Sequence, residues 1–217
     1  MPWELLSVLG IGLLLGFRHA FDPDHFIAVS TITSRTGNVL KATVTGIYWG
    51  LGHTLTLLLV GMPFIALKTG IPSTVETAME VVVGLMLVLL GWTTFRSFQQ
   101  RRTPDFEEAG KSEKGKWDSD KKTNLKSFLI GVVHGMAGSG ALVLLTMTSL
   151  ESLTEAVLYI LVFGSGTILG MGMFAVLLGF SFTYAAKRFQ KAERVIGMAA
   201  GAVSFLFGFY YIQAVLF

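Results

Sequence analysis

Two aspartates and two histidines fall within seven residues, His19-Ala20-Phe21-Asp22-Pro23-Asp24-His25, directly after Arg18. Neutral imidazole with carboxylate is a donor set for borderline divalent metals. Nickel, cobalt and zinc fit it, whereas calcium and magnesium prefer oxygen cages and copper(I) prefers sulfur. Sulfur is absent here: the chain has no cysteine, and none of its 9 methionines lies in the motif. The two remaining histidines, His53 and His134, stand in apolar surroundings and complete a candidate donor list of His19, Asp22, Asp24, His25, His53 and His134.

These residues occur at membrane depth. The chain is 52% hydrophobic and 14% charged over 217 residues, against about 25% charged in an ordinary soluble domain. Mean hydropathy is +0.63. Six segments, 3–33, 41–67, 75–99, 125–149, 153–184 and 191–216, are long and apolar enough to cross a bilayer, which takes about 20 residues as a helix. Lipid satisfies no backbone polar group, so helices are expected throughout. The first segment lacks a basic leader and runs straight into the polar motif, so it reads as a retained span and not as a cleaved signal. An ionisable side chain inside a bilayer costs about 2.5–3.5 kcal/mol and normally faces a cavity or a partner. Pro23 has no N–H and disfavours helical backbone at Asp22, so the first span is expected to break there and free the His19 carbonyl.

Charge gives the orientation. All but Arg18 and Lys68 of the 17 Lys and Arg fall in the first, third and fifth connections. By the positive-inside rule these connections face the cytoplasm, with both termini outside. The net charge of +3 therefore reads as a topology signal and calls for no nucleic-acid partner. Residues 101–124 are polar without apolar periodicity, and a flexible cytoplasmic loop is expected there.

The two halves resemble each other. Gly16-Phe17-Arg18-His19 aligns with Gly131-Val132-Val133-His134, Trp49-Gly50-Leu51-Gly52-His53 with Phe163-Gly164-Ser165-Gly166-Thr167, and Gly84 and Gly91 with Gly201 and Gly208. The expected architecture is all-α: a three-helix repeat over 1–100, the loop 101–124, and a second repeat over 125–217 inserted in the opposite sense. Such inverted repeats are typical of transporters that bind substrate near the midplane. GxxxG pairs such as Gly12/Gly16 and Gly131/Gly135 permit close helix approach, within one chain or between protomers of a homo-oligomer.

Each candidate has a plainer role to set beside ligation. His53 can be a packed histidine, His134 can pin its span, Asp24 can orient a histidine from behind, and Arg18 can neutralise Asp22 or Asp24.

The run His19-Ala20-Phe21-Asp22-Pro23-Asp24-His25 matches the HxxxxDH signature of the nickel/cobalt transporter family. Tyr48-Trp49-Gly50-Leu51-Gly52-His53-Thr54 resembles that family's second motif. The six-span length, with His134-Gly135-Met136-Ala137-Gly138-Ser139-Gly140, is similar to the urease-accessory membrane proteins of the same superfamily. The acidic motifs of the eight-span members are missing. The resemblance implies metal recognition by His19, Asp24, His25 and His53. It also implies uptake of Ni²⁺, with Co²⁺ second, across the cytoplasmic membrane as transported substrate, without a resident cofactor.

Three other functions share the composition. An efflux permease would use the same ligands, although the 101–124 stretch has none of the histidines that some exporters carry there. A proton- or anion-coupled transporter would use the carboxylates for protons. An intramembrane zinc peptidase needs HExxH, and no such motif occurs. No Walker A sequence is present either, so the chain carries no recognisable ATPase.

Overall fold

The computed structural model describes residues 2–36, 38–100, 113–137, 150, 152–188 and 190–217. Among them every regular element is helical: α1 (Pro2–His19), α2 (Pro23–Thr33), α3 (Val39–Ala66), α4 (Ser73–Gln100), α5 (Glu113–His134), α6 (Leu153–Arg188) and α7 (Gln190–Leu216). Four stretches, Val39–Ala66, Ser73–Gln100, Leu153–Tyr184 and Arg194–Leu216, are long and apolar enough to cross a membrane. α1 and α2, bent by 56° at the break between them, pass the same test of length and composition only when taken together, which brings the candidate spans to five. Leucines such as Leu14, Leu59, Leu89, Leu169 and Leu206 point outward, as side chains solvated by lipid should.

The break expected at Asp22-Pro23 is present, and its chemistry is local. Asp22 takes extended backbone (φ −61°, ψ 144°) and Pro23 opens α2 at the first helical position, where a missing N–H costs nothing. One detail differs from expectation. The His19 carbonyl that Pro23 deprives of a helical partner accepts the Asp22 N–H at 3.1 Å instead. The chain bends through this turn with the Ala20, Phe21, Asp22 and Phe26 N–H groups bonded to carbonyls of the turn and the preceding helix.

The fourth expected span, 125–149, departs from a continuous helix. α5 ends at His134, and residues 135–137 form a turn; 138–149 lie outside the described residues. The turn copies the one after α1. Ala20, Phe21 and Asp22 donate to Gly16, Arg18 and His19, while Gly135, Met136 and Ala137 donate to Gly131, Val133 and His134. The stretch 101–124 is also not a loop throughout, because α5 begins at Glu113. Opposite charges stand three and four residues apart there, which supports a helix without any apolar stripe. An ion pair of 2.9 Å between Asp120 and Lys41 ties this charged half of α5 to α3. Residues 101–112 lie outside the described residues.

Helices approach to backbone contact at glycines. A Cβ on Gly16 would run into the Phe163 carbonyl of α6, and one on Gly166 into the Leu13 carbonyl of α1. Likewise Gly131 of α5 abuts the Trp49 carbonyl of α3, and Gly52 of α3 abuts the Phe128 carbonyl of α5. α4 and α7 interlock through Gly84, Gly91, Gly201 and Gly208. Hydroxyls stitch the crossings: Thr167 Oγ1 donates to Gly16 O at 3.1 Å, Thr56 Oγ1 to Val132 O at 2.9 Å and Ser204 Oγ to Leu87 O at 3.0 Å. In lipid, close van der Waals packing and such bonds hold helices together where a hydrophobic driving force is missing.

Candidate metal centre

The two helix ends at His19 and His134, the start of α2 and the middle of α3 meet at one place. Ring centroids lie 4.5 Å apart for His19 and His25, 5.2 Å for His19 and His53, 5.2 Å for His25 and His53, and 4.2 Å for His25 and His134. His25, His53 and His134 are buried to 1%, 0% and 0% exposure. All four histidines therefore converge, with Asp22 and Asp24 beside them.

The carboxylates decide which nitrogens are available. Asp22 Oδ2 faces His19 Nδ1 at 2.7 Å. Asp24 bridges two rings, His25 Nδ1 at 3.2 Å and His134 Nε2 at 2.9 Å. An ionised carboxylate only accepts, so each ring nitrogen facing one carries the proton. The opposite nitrogen of a neutral ring is then a lone pair. His25 Nε2, His134 Nδ1 and both nitrogens of His53 are buried without any hydrogen-bond partner. Unpaired buried polar atoms cost about 1–3 kcal/mol each, and here several are gathered in one place.

Two donor sets result. Single atoms of His19, His25 and His53 lie within 4.8 Å of one another, and so do those of Asp24, His25 and His134. His25 belongs to both. Asp24 is engaged by two rings and Asp22 by one, so ligation through the three histidines would leave both carboxylates as supports. Arg18 is exposed and, among the described residues, makes no ion pair with Asp22 or Asp24. Arg18 is therefore not the partner of either carboxylate; imidazole N–H groups hydrogen-bond them instead.

Replacing Asp24 by the isosteric Asn removes the charge that orients two rings. Asp24→Asn is expected to weaken equilibrium nickel binding by the purified protein about 10–100-fold, the usual cost of losing such a support. An affinity within twofold of the parent would show that Asp24 orients nothing.

Residues beyond the expected set also border the site. Trp49 is 1% exposed, stacks on His25 (6.0 Å, 13°) and meets His134 edge-on at 5.4 Å. Its Nε1 has no partner. Glu80 of α4 has Glu76 and Asp24 as electrostatic neighbours, and Tyr211 of α7 lies in the field of Asp24, Glu80 and Asp22. The signal for Glu80 was in the sequence: a carboxylate inside an apolar span, the feature that marked Asp22 and Asp24.

Fold and site together define a multi-pass α-helical membrane protein with a histidine–aspartate cluster inside the bilayer. Residues 64–210 match the family described as cytochrome c biogenesis protein transmembrane region. The chain is 38% identical to the urease accessory protein UreH of Bacillus sp. (strain TB-90), over 96% of its own length and 91% of that protein's. It belongs to this membrane-protein family, with the urease accessory protein as a full-length relative. Two proteins of Arabidopsis thaliana, chloroplast proteins FOR GROWTH AND FERTILITY 2 and 1, are each 27% identical over 81% and 77% of the chain. The aligned part spans about half (48%) of each of these two plant proteins. No solved structure matches the chain. The relatives are named as accessory, chloroplast or membrane-region proteins, and the urease-accessory resemblance drawn from the second-half motif agrees with them.

Proposed function

We propose that this protein carries a divalent transition-metal ion, nickel first and cobalt second, across the cytoplasmic membrane, with His19, His25 and His53 as ligands and Asp22, Asp24 and His134 as their supports. The observation that carries the reading is the cluster of unpartnered imidazole nitrogens held inside the bilayer by carboxylates. Such a site is costly when empty and is compensated by a cation that prefers nitrogen donors. Kinship with a urease accessory protein supports nickel, because urease is a nickel enzyme and needs a supply. It also supports membership of the nickel/cobalt transporter superfamily and a role outside catalysis.

The six-span arrangement in two inverted repeats draws support from the contacts. Gly16 on Phe163 pairs with Gly131 on Trp49, Gly166 on Leu13 pairs with Gly52 on Phe128, and α1 and α5 end in the same hydrogen-bonded turn at a histidine. In this arrangement the termini are outside and the basic connections cytoplasmic, and uptake is the direction.

Purified protein in proteoliposomes tests the reading. Nickel is expected to accumulate, followed by cobalt, with zinc and manganese slower. Flux equal to that of empty vesicles for all four ions would overturn it. Nickel sensitivity of cells that express the protein assigns uptake, and protection assigns efflux.

A further inference from the structure

On the side of the basic connections, two helical turns below the histidines, lies a cavity of about 460 Å³. Its walls include three histidine-bearing elements, α2 (Ile32), α3 (Val44, Thr45) and α5 (Ser127, Ile130), together with Leu90 of α4. Thr45 is 3% exposed; its Oγ1 has no partner, while its carbonyl accepts Ser127 Oγ at 2.7 Å. Arg35, Lys41, Lys126 and Asp120 form the rim, and the Lys41–Asp120 pair crosses it from α3 to α5.

One stripe of α3 joins cavity and site. Thr45, Trp49 and His53 recur every four residues, about 6 Å apart along the axis. Between the unpartnered Thr45 hydroxyl below and the unpartnered His53 nitrogens above stands the Trp49 indole, itself with an unpartnered N–H. It stacks on His25 and meets His134, and Gly131 presses against its carbonyl and its ring edge. Three unsatisfied polar groups in a row at this depth trace a polar track interrupted by one aromatic ring.

We propose that this cavity is the loop-side vestibule through which the ion passes to or from the histidines, and that Trp49 is the gate between them. The inference rests on the transport reading and deepens it. Among its lining residues there is no histidine and one carboxylate, Asp120, already paired with Lys41 at 2.9 Å, so the vestibule offers the ion no nitrogen donor and holds it only weakly. An ion path needs such a weak stage, since a passage that binds tightly cannot release.

The cysteine-free sequence makes the test direct. Val44→Cys and Ile130→Cys place single thiols on apolar parts of the cavity wall. A membrane-impermeant cationic methanethiosulfonate is expected to label both from the loop side, lower nickel flux at least tenfold, and leave equilibrium nickel binding within threefold. Absence of loop-side labelling, full labelling with undiminished flux, or loss of nickel binding on labelling would each overturn the vestibule. For the gate, Trp49→Phe and Trp49→Ala are expected to speed the stripping of bound nickel by loop-side EDTA progressively, at least tenfold for Ala. An unchanged rate in both removes Trp49 from the role. If the unsubstituted protein moves no nickel, the transport reading fails first; if it does and the labelled chains move it equally well, only the vestibule fails.

Discussion

His25→Ala is expected to reduce nickel uptake below one-hundredth of the parent while the protein still inserts and elutes as a single species in detergent. His25 is the member common to both donor sets. It is 1% exposed, its Nδ1 is committed to Asp24, and its Nε2 has no partner in the protein. A hundredfold loss corresponds to about 2.7 kcal/mol, a modest demand for a whole ligand. His134→Ala separates the two sets. If His19, His25 and His53 hold the ion, His134 acts through Asp24, and its loss costs about 10–100-fold in affinity, less than His19→Ala. The reverse order, with His134→Ala the more damaging, would assign the ion to Asp24, His25 and His134. Uptake unchanged in His25→Ala would remove the site altogether. Size-exclusion profiles of each variant separate ligand loss from misfolding.

The second large effect lies in the packing. Gly16→Ala is expected to destabilise the protein toward the upper end of the about 1–3 kcal/mol typical of overpacking, seen as a lower thermal midpoint in detergent. Its new methyl would overlap the Phe163 carbonyl, which is backbone on the facing helix and cannot rotate away. The damage should reach the site: His19 stands three residues on and packs on Phe163 at 5.6 Å, so nickel affinity should fall too. Gly10→Ala is the control, because nothing lies within 4 Å of a Cβ there. It should leave affinity unchanged and the midpoint unchanged or slightly raised, since alanine favours helix over glycine. Equal behaviour of the two variants would mean that α1 does not seat on α6 at Gly16.

Much of the site was legible in the sequence because membrane depth makes polarity conspicuous. Asp22, Asp24, His19 and His25 stand out of an apolar run, and Pro23 marks the bend that the backbone makes. His53 was legible through its own span. The role of His134 was open between ligation and packing, and only the tertiary contact with Asp24 at 2.9 Å shows what its ring faces. The turn after His134 contains no proline and gave no warning. The helix over 113–124 was illegible for a different reason: its sequence has no apolar stripe, and the tie from Asp120 to Lys41 joins residues distant in sequence. Trp49 was visible in the sequence only as part of the Tyr48–Thr54 motif; its burial and its packing on His25 and His134, rings distant in sequence, come from the fold.

The most direct test of the central claim is nickel-edge X-ray absorption of the purified protein loaded with one equivalent of Ni²⁺. Imidazole rings around the metal, lost in His25→Ala, are the predicted result. An all-oxygen shell like that of the hydrated ion, or a spectrum unaltered by His25→Ala, would contradict the account.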